Sequence, residues 1–228
     1  MKKLRNILGV VTILLIAASL FMSYLNLTTT YTYLRKCLGS GVVALLGVLI
    51  LGYGLIAKQS CIKFYAAMAL GLALACVGDL LIDRQFMLGA AAFAMGHICF
   101  GIAYCFLWPV KRLDWICSGA LLAICVYLLV FAPFIVFNSA VLQVVCIVYG
   151  LIISFMLGKA IGNFIGEKNG VTFALMVGSA VFFFSDLMLV MGQFAGGGKL
   201  ASTLCLGTYY PALCLLALSA YFKTGEKA

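Results

Sequence analysis

Apolar residues run along this chain in long unbroken blocks rather than alternating with polar ones. Eight blocks are legible, at residues 7–25, 38–57, 64–82, 86–110, 115–137, 140–157, 171–194 and 200–222. A helix rises 1.5 Å per residue, so about 20 residues cross a hydrocarbon core of about 30 Å. Each block is close to that length. A membrane strand would instead alternate apolar and polar positions over about ten residues, and no block does so. The pattern predicts an all-α polytopic membrane protein with eight transmembrane helices. Ala132-Pro133 breaks the chain toward the end of the fifth block, ahead of the sixth; Gly166-Glu167-Lys168-Asn169-Gly170 separates the sixth and seventh, and Gly196-Gly197-Gly198-Lys199 the last two. Because the connections are short, residues 1–228 are expected to form a single transmembrane domain.

Composition removes the soluble alternative. Hydrophobic residues make up 66% of the chain and charged ones 9%, against about a quarter charged in soluble domains, too few for a charged shell. A net charge of +9 raises nucleic-acid binding, but the positions of the cations argue against it. With the N-terminus inside, the inner segments hold Lys2, Lys3, Arg5, Lys58, Lys63, Lys111, Arg112, Lys159, Lys168, Lys223 and Lys227. The outer ones hold Arg35, Lys36, Arg84 and Lys199. Eleven against four is a positive-inside bias, which predicts a multi-pass cell-membrane protein with both termini cytoplasmic. The cations then read as topology signals and contacts for anionic lipid, with no nucleic acid as partner. The basic start also resembles a signal peptide, with Ala17-Ala18-Ser19 as a weak cleavage region. Cleavage would leave seven spans, so an uncleaved first helix is expected. Ten cysteines form no C-x-x-C pair and read as small buried apolar residues.

Candidate chemistry lies in the few ionisable residues inside the blocks. Each costs about 2.5–3.5 kcal/mol on insertion and is a functional-site candidate by default. Asp79, His97 and Asp186 are the clear cases, and Asp83 with Arg84 ends the third block. Asp79 and Asp186 sit in matching contexts 107 residues apart: a Gly eight residues before, a small residue just before, two long apolar residues after. That match raises a duplication into parallel four-helix halves, 1–110 and 111–228, with both carboxylates at one depth. His97 lies about 17 Å along the fourth helix, with Tyr104 seven residues on and on the same face. Tyr209 and Tyr210 reach similar depth in the last span. These groups are expected to converge on one cavity in the outer half of the bundle. The bland readings are a hydrogen-bonded packing His beside Gly96, core tyrosines, and a surface Asp83–Arg84 pair. Two carboxylates at one depth resist such a reading, because burying them requires partners.

At these residues the chain resembles the YhhN-like lysoplasmalogenase family of eight-span membrane proteins. The likeness is carried by Gly78-Asp79, Gly96-His97 with Tyr104, Ser185-Asp186 and Tyr209-Tyr210, with Lys36 and Tyr149 in addition, and runs from about Lys36 to Tyr221. Leu213 stands where the family often has Gln, which puts the positioning of water or headgroup in question. The resemblance implies hydrolysis of the vinyl ether bond of a lysoplasmalogen to a fatty aldehyde and a glycerophospho-headgroup. It implies a lysophospholipid substrate taken from membrane lipid, with no cofactor and no metal. Asp79, Asp186 and His97 are then the catalytic candidates, and Lys36, Asp83, Tyr104, Tyr149, Tyr209 and Tyr210 the substrate-binding ones. Acid cleavage of a vinyl ether needs one carboxyl that delivers a proton and one carboxylate that steadies the cation, a division that paired carboxylates supply. The phenylalanines before Asp186 favour it as the acid, leaving Asp79 as the ionised partner.

Three other readings use the same residues. A proton- or cation-coupled transporter would place its coupling sites at Asp79 and Asp186. An intramembrane aspartyl protease is suggested by Pro211-Ala212-Leu213, which is similar to the Pro-Ala-Leu element of presenilin-like proteases, but Cys76 stands where a G-x-G-D motif needs Gly. A metal hydrolase would need Asp79, His97 and Asp186 as ligands of one ion.

Overall fold

The computed structural model describes residues 1–225. Within them the chain forms α1 (Lys2–Thr28), α2 (Tyr33–Ile56), α3 (Ile62–Ile82), α4 (Phe86–Leu107), α5 (Arg112–Phe131), α6 (Ala140–Gly166), α7 (Gly170–Phe194) and α8 (Gly198–Lys223). All eight are long and apolar enough to cross a membrane, and no strand occurs among the described residues. Successive helices pack as neighbours except α4 and α5; α8 also contacts α1, α2 and α3, and α4 contacts α6. α5 packs only against α6 among the described residues and stands at the edge of the bundle. Without a hydrophobic drive between helices in lipid, close approach depends on small residues at the contact. Gly78 of α3 shows this: a Cβ there would stand 2.8 Å from the Phe93 ring of α4.

Two helix boundaries differ from the apolar blocks, for identifiable reasons. α5 stops at Phe131 rather than continuing to 137. Pro133 has no N–H and drives Ala132 to an extended conformation, ψ 117°. The segment that follows folds back on α7, where the Val136 N–H donates to the Phe194 carbonyl at 2.7 Å. α6 runs on to Gly166, nine residues past the expected 157. Lys159, read above as a cation of an inner connection, is therefore inside a helix and fully buried. Its Nζ donates to Asp114 Oδ2 at 2.9 Å, the Pro109 carbonyl at 3.0 Å and Asn163 Oδ1 at 2.7 Å. Three acceptors fill the three donors of an ammonium, which is what lets the charge stay buried. Lys36 is likewise buried in the first turn of α2. One cation thus leaves each side of the charge balance, so its direction is unchanged.

Candidate active site

Asp79 in the last turn of α3 and Asp83 at its C-cap lie four residues apart, so both carboxylates face α2. Lys36 reaches across from α2, with Nζ 2.8 Å from Asp83 Oδ2 and 3.3 Å from Asp79 Oδ1. From α8 the Tyr210 hydroxyl stands 3.2 Å from Asp79 Oδ2 and 3.1 Å from the Lys36 carbonyl. Its ring fits because Gly39 has no side chain; a Cβ there would meet Tyr210 Cε1 at 2.7 Å. Tyr31, in the α1–α2 connection, donates to Asp83 Oδ2 at 2.6 Å. Partial burial and then the Asp83 carboxylate push the Tyr31 phenol above its ordinary range, so it remains a neutral donor. Lys36 and Asp79 are buried, whereas the Asp83 side chain is 44% exposed. One ammonium between two carboxylates leaves one net negative charge in this group.

A second group forms around Asp186 of α7. Its Oδ2 accepts from the Tyr149 hydroxyl of α6 at 2.6 Å and lies 2.9 Å from His97 Nε2 of α4. His97 Nε2 is also 2.8 Å from the Tyr149 oxygen. The imidazole is buried at 1% exposure and meets the Phe182 ring edge-on at 4.6 Å. Its Nδ1 has no hydrogen-bond partner among the described residues, so the ring proton is assigned to Nε2, which faces two acceptor oxygens. Both contacts use one oxygen of Asp186. Ser185 donates to the Cys205 carbonyl at 3.0 Å, tying this turn of α7 to α8.

A cavity of about 670 Å³ joins the two groups at the end of the bundle opposite the N-terminus. Lys36, Asp79, Asp83, Asp186 and Tyr209 all line it. His97 and Tyr210 stand behind the carboxylates they contact, and Tyr149 lies on the far side of Asp186, against a separate crevice. Tyr104 is not brought in: its buried hydroxyl is 2.9 Å from Ser179 Oγ. Tyr31 and Lys199, neither singled out in the sequence, line the cavity at its mouth. Tyr31 sits in the α1–α2 connection and Lys199 in the first turn of α8, where nothing in the local pattern separates them from ordinary polar residues near a helix end. No group of three His, Cys, Asp or Glu residues capable of holding one metal ion occurs among the described residues. All ten cysteines are free thiols.

A sequence model of the YhhN family matches residues 31–220. The chain belongs to the YhhN family. No curated protein and no solved structure matches it. In this YhhN-family chain the match begins at Tyr31 and covers every residue of both carboxylate groups, while α1 lies ahead of it. Membership agrees with an eight-helix membrane protein, and the two carboxylate groups are what the matched region builds around its cavity.

Proposed function

We propose that this protein hydrolyses the vinyl ether bond of lysoplasmalogens, releasing a fatty aldehyde and a glycerophospho-headgroup. The observation that carries the reading is that two carboxylates with unlike partners line one cavity: Asp79 beside an ammonium, Asp186 beside an imidazole and a phenol. Acid cleavage uses one of each. Asp186 delivers a proton to the β-carbon of the double bond from the oxygen that neither His97 nor Tyr149 engages. The resulting oxocarbenium ion is steadied by the net negative charge of Asp79, Asp83 and Lys36. Asp79 directs water to the α-carbon, and the hemiacetal collapses to aldehyde and alcohol. Water supplies the oxygen of the aldehyde and two protons, one returned to Asp186 as water adds and one passed to the departing glycerol oxygen as the hemiacetal collapses, so the cycle closes without a cofactor or metal. His97 and Tyr149 orient the acid; Lys36, Asp83, Tyr209 and Tyr210 shape the polar side of the cavity.

Incubation of purified protein with a lysoplasmalogen and with its ester analogue tests the reading. Aldehyde from the vinyl ether alone is the expected result. Proton-coupled flux in liposomes without turnover would favour the carrier reading instead. The charge balance of the connections supports cytoplasmic termini, so the cavity opens at the outer face of the membrane. A reporter fused after Ala228 that is active only outside the cell would overturn that orientation.

A further inference from the structure

A second, narrow crevice of about 50 Å³ meets the site from the side. Cys125 and Leu129 of α5, Gly150 and Ile153 of α6, and Leu187 and Val190 of α7 line it. Its wall is hydrocarbon and thiol, and a thiol packs as a small apolar group. The polar exceptions are Tyr149 and Asp186. The gap follows from the fold: α5 packs on α6 but not on α7, so a furrow opens between α5 and α7 over the face of α6. Gly150 forms part of its floor, where a Cβ would already stand 3.3 Å from Cys125 Cβ. A carboxylate bordering an apolar furrow is an expensive arrangement in a membrane protein unless the furrow serves it. Asp186 borders the furrow and the large cavity at once.

We infer that this crevice binds the hydrocarbon chain of a single-chain phospholipid. The inference rests on the lysolipid reading of the site above. With the headgroup in the large cavity and the chain in the crevice, the chain's first carbon–carbon bond, next to the glycerol oxygen, passes Asp186. That is the bond an acid must protonate in a vinyl ether. The crevice is less than a tenth of the cavity's volume and lies between transmembrane helices at the edge of the bundle. One chain enters it, while the remainder of that chain stays among lipid. The crevice has room for one chain, which suits a single-chain lipid.

The test reads binding, not turnover. A saturated 1-O-alkyl lysophospholipid, which has no vinyl bond to cleave, carries a diazirine on the third carbon of its chain and is photolysed with the full-length protein in nanodiscs. Peptide mapping is expected to find adducts on α5, α6 and α7 around Cys125, Gly150 and Val190. Gly150→Leu should reduce labelling at least tenfold by filling the floor. Val190→Trp should do the same from the α7 side, and serves if Gly150→Leu fails to fold by thermal melting. Adducts confined to α1 and α8, no adducts, or full labelling of both folded variants would overturn the inference. If aldehyde release is absent while crevice adducts form and respond to the variants, the chemistry proposed above fails and the chain site stands. If aldehyde is released while the adducts lie elsewhere, the chain site fails and the chemistry stands.

Discussion

Asp79 and Asp186 have similar neighbours in the sequence and unlike partners in the fold. Each follows a Gly by eight residues and a small residue by one. Yet both oxygens of Asp79 are engaged, one by an ammonium and one by a phenol, whereas Asp186 offers a single oxygen to imidazole and phenol. An ammonium fixes charge; an imidazole–phenol pair can share and pass a proton. A third buried group sharpens the contrast. Lys159 and Asp114 make an ion pair as buried as any here, but all three ammonium donors are filled and neither residue borders the cavity. A buried charge therefore marks a site only where it keeps unspent capacity and faces space. The Lys36 group does so through its excess carboxylate, and Asp186 through its second oxygen.

The largest expected effects test that difference between the two carboxylates. Asp186→Asn should lower aldehyde release by about 10²–10⁴-fold, the usual contribution of a general acid, in a bundle that still melts cooperatively. Asp79→Asn should cost a similar factor through loss of the cation-stabilising charge. Full activity of Asp186→Asn would end the proposed division of labour.

Next comes the comparison of the two lysines. Lys36→Met and Lys159→Met each break a buried ion pair, a loss of about 3–5 kcal/mol, and both should lower the melting temperature in one detergent. Only Lys36→Met should also reduce the rate per folded molecule. An equal loss of specific activity in Lys159→Met would remove the distinction between site and scaffold.

Smaller losses should come from the residues that hold Asp186. Hydrogen bonds to charged groups contribute about 1.5–3 kcal/mol, about 10- to 150-fold in rate. Tyr149→Phe and His97→Ala should fall in that range, below the Asp variants, and should shift the pH profile of kcat. An unshifted profile with an unchanged rate would leave the two as packing residues.

The smallest effect belongs to Tyr31→Phe. Its hydroxyl meets an exposed carboxylate at the cavity mouth, and the change should raise KM by about fivefold or less while leaving kcat intact. Because the Tyr31 phenol is raised above its ordinary range by burial and by Asp83, it keeps its proton as pH rises toward 10. A wild-type inflection below about pH 10 that vanished in Tyr31→Phe would contradict this.

The eight spans were legible in the sequence, and so were Asp79, His97 and Asp186 as residues that lipid does not tolerate alone. Tyr149 entered only through the family likeness, and Tyr104, two turns from His97, turned to Ser179 instead of the cavity. Helical spacing places a residue on a face but does not say which neighbouring helix covers that face. Lys159 was the clearest miss. Its charge ended the apolar block, and nothing nearby announced Asp114, 45 residues earlier, as its partner.

What the sequence by itself determined is the crossing of the membrane and the short list of groups that such a crossing penalises. Transfer of each helix into lipid is a sum over its own residues, with backbone hydrogen bonds closed within the segment, so it can be read one block at a time. Only the tertiary structure decided the partners. Lys36 meets Asp79 and Asp83 because α2 lies against α3, Asp186 meets His97 and Tyr149 because α7 and α4 both pack beside α6, and the crevice exists because α5 stays off α7. Those adjacencies arise from side-chain packing between segments far apart in the chain, and that packing determines whether a buried charge becomes scaffold or site.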